Sequence, residues 1–310
     1  MKLTALRFAK SVTNSALQAT EQNIEVKVPW GKLAALTWGN PSNSPVLLCH
    51  GRFDTCSSYR PLVSLLPDNY FYVSVDMPGY GYSDPFPRGA KINAMDFVPT
   101  IARVKEHFRW DQFAYIGHSL GALFSKFYNI AYPGHLSRIV ELDPAPAYWP
   151  THDFRTWYHE GYGPFYSDEH YQKLNSGYEN APKYTYEEVR KRLMKARGLD
   201  EKSADHVLER CLEPAGDGLF RLTHDQCLKL NTLLPFPKGA YIDLYTASKT
   251  PILAILSPEY MKIYKNYPMV TDDNAWPNRN YRHVILNVGH DVHLHSPEEC
   301  AMLITEFLKK

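Results

Sequence analysis

The chain has 310 residues, and its 34 Lys and Arg against 33 Asp and Glu leave a formal net charge of +1. A balance this even, with no long basic stripe, argues against nucleic acid as a partner, and no apolar run approaches the roughly 20 residues of a membrane span. Five cysteines (Cys49, Cys56, Cys211, Cys227 and Cys300) without CxxC spacing argue against a disulfide framework and for reduced thiols in an intracellular protein.

The first twenty residues hold Lys2, Arg7 and Lys10 and no acid before Glu21. That composition suits a mitochondrial transit peptide, a short amphipathic helix or a disordered tail; a secretory signal needs an apolar h-region that is missing. Residues 1–23 are therefore set apart as an N-terminal extension, with the cytoplasm as the expected compartment and the mitochondrion as the alternative. Ile24, Val26 and Val28 alternate, Pro29-Trp30-Gly31 turns, and Leu33, Ala35 and Thr37 return: an antiparallel hairpin. A short apolar strand, Val46 to Cys49, ends at His50-Gly51. A helix is predicted over 57–66, a strand from Tyr70 to Val75, and a turn-rich segment from Asp76 to Asp84. A helix over 93–108 precedes the apolar residues Phe113 to Ile116, and another strand runs from Arg138 to Leu142.

Between Tyr148 and Leu234 no strand pattern recurs. Charged helical segments, Tyr186 to Arg197 and Ser203 to Cys211, mix with aromatic loops. Strands resume at Pro251 to Leu256 and at His283 to Val288, and a helix from Pro297 to Leu308 closes the chain. Apolar strands alternating with helices predict a mostly parallel sheet covered on both faces. The expected division is a sheet core over 24–147 and 235–310, interrupted by a helical cap over 148–234.

The most informative stretch is Gly117-His118-Ser119-Leu120-Gly121. Apolar residues lead into it, and Leu123, Phe124, Phe127, Tyr128 and Ile130 leave it at helical spacing. Strand, Gly-x-Ser-x-Gly turn and helix are the setting of a nucleophile elbow. A serine hydroxyl needs a neighbouring base. The best placed of thirteen histidines is His290, which follows a strand through Gly289 and so falls at the carboxyl edge of the sheet with Ser119. His118 is expected to pack under the elbow and His50 to support its own loop. His290-x-x-His293 is a weak metal signal without a third ligand nearby, so no metal is expected. The oxyanion donors should be the backbone N–H of Leu120 and one from the His50-Gly51-Arg52-Phe53 turn, with Arg52 the first choice and Phe53 the second.

These motifs resemble the α/β-hydrolase superfamily: His50-Gly51 after the third strand, the elbow at Ser119, Asp76-x-x-Gly79-x-Gly81-x-Ser83, and Gly289-His290-x-x-His293 near the end. The resemblance covers about residues 24 to 309. More narrowly, Val28-Pro29-Trp30-Gly31, His50-Gly51-Arg52-Phe53-Asp54 with Ser57-Ser58, Leu65-Leu66-Pro67 and Tyr72 to Asp76 resemble the serine hydrolase-like proteins. The fold implied is an α/β-hydrolase fold with an inserted cap.

A triad needs a buried acid to orient the base. After the strand ending at Leu256, where many superfamily members carry it, the chain reads Ser257-Pro258-Glu259-Tyr260. Asp143, after the preceding strand, is the favoured acid; Glu259 is second, with Asp272, Asp273 or no acid as the remainder. Asp54, Asp76 and Asp84 read as turn residues that bond nearby N–H groups.

A serine rather than an aspartate at the elbow favours acyl transfer to water over dehalogenation or epoxide opening. The expected activity is that of a serine hydrolase on a carboxylic ester or thioester of small to medium apolar substrate, without cofactor. Trp149, Phe154 and Trp157 are candidate substrate contacts, and the equal alternative is that the cap's rings form its own core. A second function class also fits, a ligand-binding or regulatory protein on a hydrolase scaffold. Oligomeric state and natural substrate stay open.

Overall fold

The computed structural model describes residues 15–145, 153–177, 180–230 and 238–309. The ten strands among them are β1 (Gln22–Val28), β2 (Gly31–Trp38), β3 (Ser44–Cys49), β4 (Tyr70–Val75), β5 (Phe113–His118), β6 (Leu136–Leu142), β7 (Leu212–Pro214), β8 (Phe220–Leu222), β9 (Ile252–Leu256) and β10 (Tyr281–Ile285). Eight make one sheet in the order β1-β2-β4-β3-β5-β6-β9-β10. The β1–β2 and β2–β4 pairs are antiparallel, and every pair from β4 to β10 is parallel.

Strand periodicity decides which side chains serve which face. Leu47, Val73, Val75, Tyr115, Ile139 and Ala254 pack on one side with Ile101, Val104, Phe124 and Phe127. Val46, Leu48, Ile116, Val140, Leu253 and Ile255 pack on the other with Leu62, Ile304 and Leu308. The first layer is built by helices Val98–Phe108 and Leu120–Ala131, the second by the terminal helix Pro297–Lys309. Both faces being covered explains why the parallel strands read as unbroken apolar runs.

The strand order reverses between β3 and β5, since β4 lies on one side of β3 and β5 on the other. Open α/β sheets bind ligands at the carboxyl edge beside such a reversal, which here falls at the ends of β3 and β5. Gly121 permits the close approach of the β3 and β5 ends. A Cβ added to it would stand 2.1 Å from the Cys49 carbonyl oxygen.

Between β6 and β9 the chain leaves the sheet. Helix Tyr186–Arg197 starts at a capping box, in which the Glu188 N–H donates to Thr185 Oγ1 at 3.2 Å and the Thr185 N–H donates to Glu188 Oε2 at 2.8 Å. Helix Glu201–Cys211 starts under Asp200, which accepts the Ser203 N–H at 2.8 Å. Val189, Leu199, Val207 and Leu208 form a small separate core.

The structure departs from the sequence reading in four places. The cap is not all helical, because β7 and β8 pair antiparallel; strands of three residues are too short to show a period. The helix expected over 57–66 is a 3₁₀ turn, Cys56–Tyr59, followed by Arg60–Val63, and it stops short of Pro67, where helical backbone is disfavoured. β10 starts and ends earlier than expected, with Tyr281 stacked on Trp276 at 4.9 Å and the segment after Ile285 turning toward His290. The sheet begins at Gln22, just before the expected boundary, and Leu17 of the turn Ser15–Gln18 is buried in the core. The expected cap boundaries at 147/148 and 234/235, and the basic residues of the N-terminus, lie outside the described residues.

Gly121→Ala is expected to destabilise the protein by about 1–3 kcal/mol or more, because the new methyl group meets backbone rather than a movable side chain. A urea midpoint equal to that of the wild type contradicts this packing.

Candidate active site

Ser119 caps the helix Leu120–Ala131 with φ +50° and ψ −115°. Its N–H donates to the Leu142 carbonyl at 3.0 Å, and its own carbonyl accepts from Ala145 at 2.9 Å. The elbow is thus clamped to the end of β6. Six non-glycine residues among those described have positive φ, and three of them are Phe53, Ser119 and Asp143. Such backbone persists only where its surroundings enforce it, and it gathers at working sites.

The turn after β3 lies directly against the elbow. A Cβ on Gly51 would come within 3.0 Å of Ser119 Cβ and 2.8 Å of His118 Nδ1. His50 braces this turn, as expected: its Nε2 accepts the Met77 N–H at 3.1 Å, so Nδ1 carries the proton and donates to the Gly51 carbonyl at 2.7 Å. The Arg52 guanidinium points away, donating to the carbonyls of Leu228 (3.2 Å) and Lys229. Any part Arg52 takes at Ser119 therefore falls to its backbone. Leu120 opens the helix, so its N–H has no partner inside that helix.

His290 and Asp143 meet across the same rim. His290 Nδ1 lies 2.6 Å from Asp143 Oδ2. Nδ1 must donate, which leaves Nε2 with a free lone pair. Asp143 is buried, and its carboxylate also accepts the Ser257 N–H at 2.6 Å and the Ser257 hydroxyl at 3.1 Å. Partial burial works against the charged imidazolium, but the hydrogen bond and charge of Asp143 outweigh it and hold His290 above the ordinary histidine value. Glu259 stands exposed in the first turn of helix Pro258–Ile263. The Tyr260 N–H donates to Ser257 Oγ at 3.1 Å, so Ser257 is an N-cap as well as a partner of Asp143. Asp273 pairs instead with His283 Nδ1 at 2.5 Å, and Asp272 caps a turn by accepting the Asn274 N–H at 2.9 Å.

His118 is buried beneath the elbow, its ring 4.8 Å from that of His290 and 4.5 Å from that of His293. Its Nε2 faces the His290 carbonyl at 3.1 Å and must donate there. The elbow and the loop carrying His290 are therefore in contact. Burial pushes the His118 imidazole well below the ordinary value, helped by His293, and burial pushes His293 down to about 3. Among the described residues, Asp54, His118 and His293 form a group whose donor atoms lie within 4.8 Å of one another, and His118 Nδ1 and both His293 nitrogens lack a hydrogen-bond partner. The sequence suggested no third ligand near His293. The fold supplies that grouping from the β3 turn and the elbow, but the positive charge beside Asp54 is already the guanidinium of Arg197, at 3.0 Å.

Phe154 is 63% exposed, and Trp157 is buried at the start of a π-helical turn, their ring centroids 5.4 Å apart. The run continues from Trp157 to Tyr162 at 5.3 Å and from Tyr162 to Tyr166 at 5.5 Å. These cap rings pack largely on one another. Trp149 lies outside the described residues.

Of the three aspartates read as turn residues, Asp54 and Asp76 bond N–H groups close by in the chain, whereas Asp84 bonds one far away in sequence. Asp54 accepts from Thr55, Asp76 from Cys56 and Tyr82, and Asp84 from Lys32. Arg197, Asp291 and Ser257 were missed. A Ser-Pro N-cap signal was readable for Ser257; no local pattern announces that Arg197 reaches residues far away in the chain.

A serine elbow of positive φ, an adjoining backbone turn and a histidine–aspartate pair thus lie along one sheet edge. The family model described as alpha/beta hydrolase fold matches residues 44–297, and the chain belongs to that family. It is 28% identical over 314 residues to a serine hydrolase-like protein of Danio rerio, covering 99% of this chain and 94% of the relative. It is 25% identical over 313 residues to the human serine hydrolase-like protein 2, covering 96% and 97%. Among solved structures, it shares the fold of a hypothetical protein from Pseudomonas aeruginosa PAO1 (TM-score 0.78, 21% identity, 93% of this chain and 99% of that one). It also shares the fold of a thioesterase domain from the curacin biosynthetic pathway (TM-score 0.72, 17% identity, 92% and 98%). No helix among the described residues is long and apolar enough to cross a membrane.

In an NMR titration His290 is expected to protonate above about 6.5, the unperturbed histidine value. Asp143→Asn removes the hydrogen bond and the charge that raise it and leaves the opposing burial, so its midpoint moves below that of the wild type. Glu259→Gln leaves the midpoint in place. A midpoint that ignores Asp143 contradicts the pairing.

Proposed function

We propose that the chain is a serine hydrolase that cleaves a carboxylic ester or thioester of small to medium apolar substrate, through Ser119, His290 and Asp143. The observation that carries this reading is the 2.6 Å contact between His290 Nδ1 and the buried Asp143, beside an elbow whose His118 touches the His290 backbone. The carboxylate fixes the tautomer, so Nε2 is the basic nitrogen.

In the first step Nε2 takes the proton of Ser119 while Oγ forms a bond to the carbonyl carbon, and the carbonyl electron pair moves to oxygen. The N–H groups of Leu120 and Arg52 face that oxyanion, with Phe53 the alternative to Arg52. The positive end of helix Leu120–Ala131 adds to the stabilisation. Collapse expels the alcohol or thiol, which takes the proton from His290. Water then attacks the acyl-enzyme by the same route and restores Ser119. The strained backbone at Ser119 holds Oγ forward without reorganisation.

The apolar preference rests on the aromatic cap, including Phe154 and Trp157; Trp149 belongs to the same proposal. The thioesterase that shares the fold supports inclusion of thioesters. Since nucleophile and base act as a unit, losing either costs nearly as much as losing the whole triad, and losing the acid alone costs less.

A fluorophosphonate probe is expected to label the wild type and not Ser119→Ala. With an ester panel graded by acyl length, His290→Ala is expected to lower kcat by about 10⁴-fold or more while the circular dichroism spectrum is unchanged. A folded wild type that neither labels nor turns over any ester contradicts the proposal and favours a ligand-binding role on the same scaffold.

A further inference from the structure

Three segments far apart in the chain meet at one guanidinium. Arg197 ends the cap helix Tyr186–Arg197. Its Nε donates to Asp291 Oδ2 at 2.9 Å, and one terminal nitrogen donates to Asp54 Oδ2 at 3.0 Å and to Asp291 Oδ1. Asp54 sits in the turn after β3, next to Arg52 and Phe53, and Asp291 directly follows His290. The main chain of Arg197 holds the same loop, since its carbonyl accepts from His295 Nε2 at 3.2 Å. Leu294 of that loop is buried in the cap's own small core.

The charges explain why the contact is specific. The Asp54 and Asp291 side chains are 1% and 3% exposed and share this one guanidinium. A carboxylate stripped of water is costly unless it is well paired. His118 and His293 lie beside them, but burial holds both imidazoles neutral, so neither supplies the positive charge. Arginine's flat fork can bind two carboxylates in fixed directions, which an ammonium group cannot reproduce.

We propose that Arg197 is a positioning residue for the reaction. It holds the loop carrying His290 and the turn carrying Arg52 and Phe53 in register through the cap, and it shapes the field at the imidazole. The assignment rests on the reading of His290 as the base. The charged and titratable groups that face His290 are Asp143 from the end of β6, Asp291 of its own loop, Arg197 from the cap, and the rings of His118 and His293. Asp143 and Asp291 favour the imidazolium, and Arg197 opposes it. Taking Arg197 away removes that opposition and so moves His290 toward easier protonation.

The test compares the wild type with Arg197→Gln and Arg197→Lys by two readouts, the NMR titration of His290 and the rate of fluorophosphonate labelling. In Arg197→Gln the His290 midpoint should rise by roughly half a unit or more. Labelling, measured where His290 is neutral, should slow by about 100-fold from lost alignment. Arg197→Lys keeps the charge and loses the fork, so its midpoint should stay near that of the wild type while labelling still slows by about tenfold or more. An anchor with only a structural role would leave the midpoint alone. Arg197→Gln with the wild-type midpoint and the wild-type labelling rate overturns the proposal. Should Arg197→Gln not fold, Arg197→Lys decides, and labelling at the wild-type rate overturns it. A wild type that resists the probe contradicts the hydrolase reading instead, and the His290 midpoint in the variants then decides the role of Arg197.

Discussion

A carboxylate buried at the carboxyl end of β6 has to be satisfied, and the way it is satisfied organises this edge of the molecule. Asp143 is 2% exposed, too little for water to solvate a full charge. Its oxygens take the Ser257 N–H and hydroxyl from the end of β9 and face the imidazole of His290 beyond β10. Its own N–H donates to the Ile255 carbonyl at 2.8 Å. One side chain thereby draws together the ends of β6 and β9 and the loop carrying His290. The elbow joins the same assembly through the Ser119 N–H on Leu142. The positive φ of Asp143 and Ser119 is the conformational cost of placing both groups on a single rim.

The cap is bound to this edge by charge as well as by packing. Arg210, on helix Glu201–Cys211, is buried and donates to Asp76, which also accepts the Cys56 and Tyr82 N–H groups. Arg60 of the core binds both Glu21 and Glu209. With Arg197 these contacts seat one half of the cap on the loops that leave β3 and β4. Buried pairs add little net stability, yet breaking one by removing a single partner is costly. The other half packs on the main core through Phe165, Leu174, Cys227 and Leu228, with Tyr171 Oη donating to the Gly89 carbonyl at 3.3 Å and the Gly89 N–H to Asn175 at 2.8 Å. That half carries the aromatic rings.

Legibility followed the range of the interactions. The parallel strands were readable because burial on both faces leaves unbroken apolar runs, and the helix Tyr186–Arg197 because its caps are local. The elbow was readable because close approach to the Cys49 carbonyl demands glycine at 121. Short elements were not: the β7–β8 pair is too brief to show a period. Polar contacts across the fold were hidden as well. Asp54 reads as a turn residue, and it does bond Thr55, but its second oxygen is committed to a guanidinium from the cap. His293 reads as a neighbour of His290 in the chain, yet its near partners in space are His118 and Asp54. Tertiary proximity, not spacing, assembles that cluster.

Everything rests on a hydroxyl at the tip of one sharp turn being reached by an imidazole carried on another. The most direct measurement is a crystal structure of the protein after reaction with a phosphonate ester. The account predicts phosphorus bonded to Ser119 Oγ, His290 Nε2 within hydrogen-bonding distance of that oxygen or of the leaving-group side, and the phosphoryl oxygen facing the Leu120 N–H and an N–H of the Arg52–Phe53 turn. An adduct on another residue, or one on Ser119 with His290 turned away and still bound to Asp143, would contradict it.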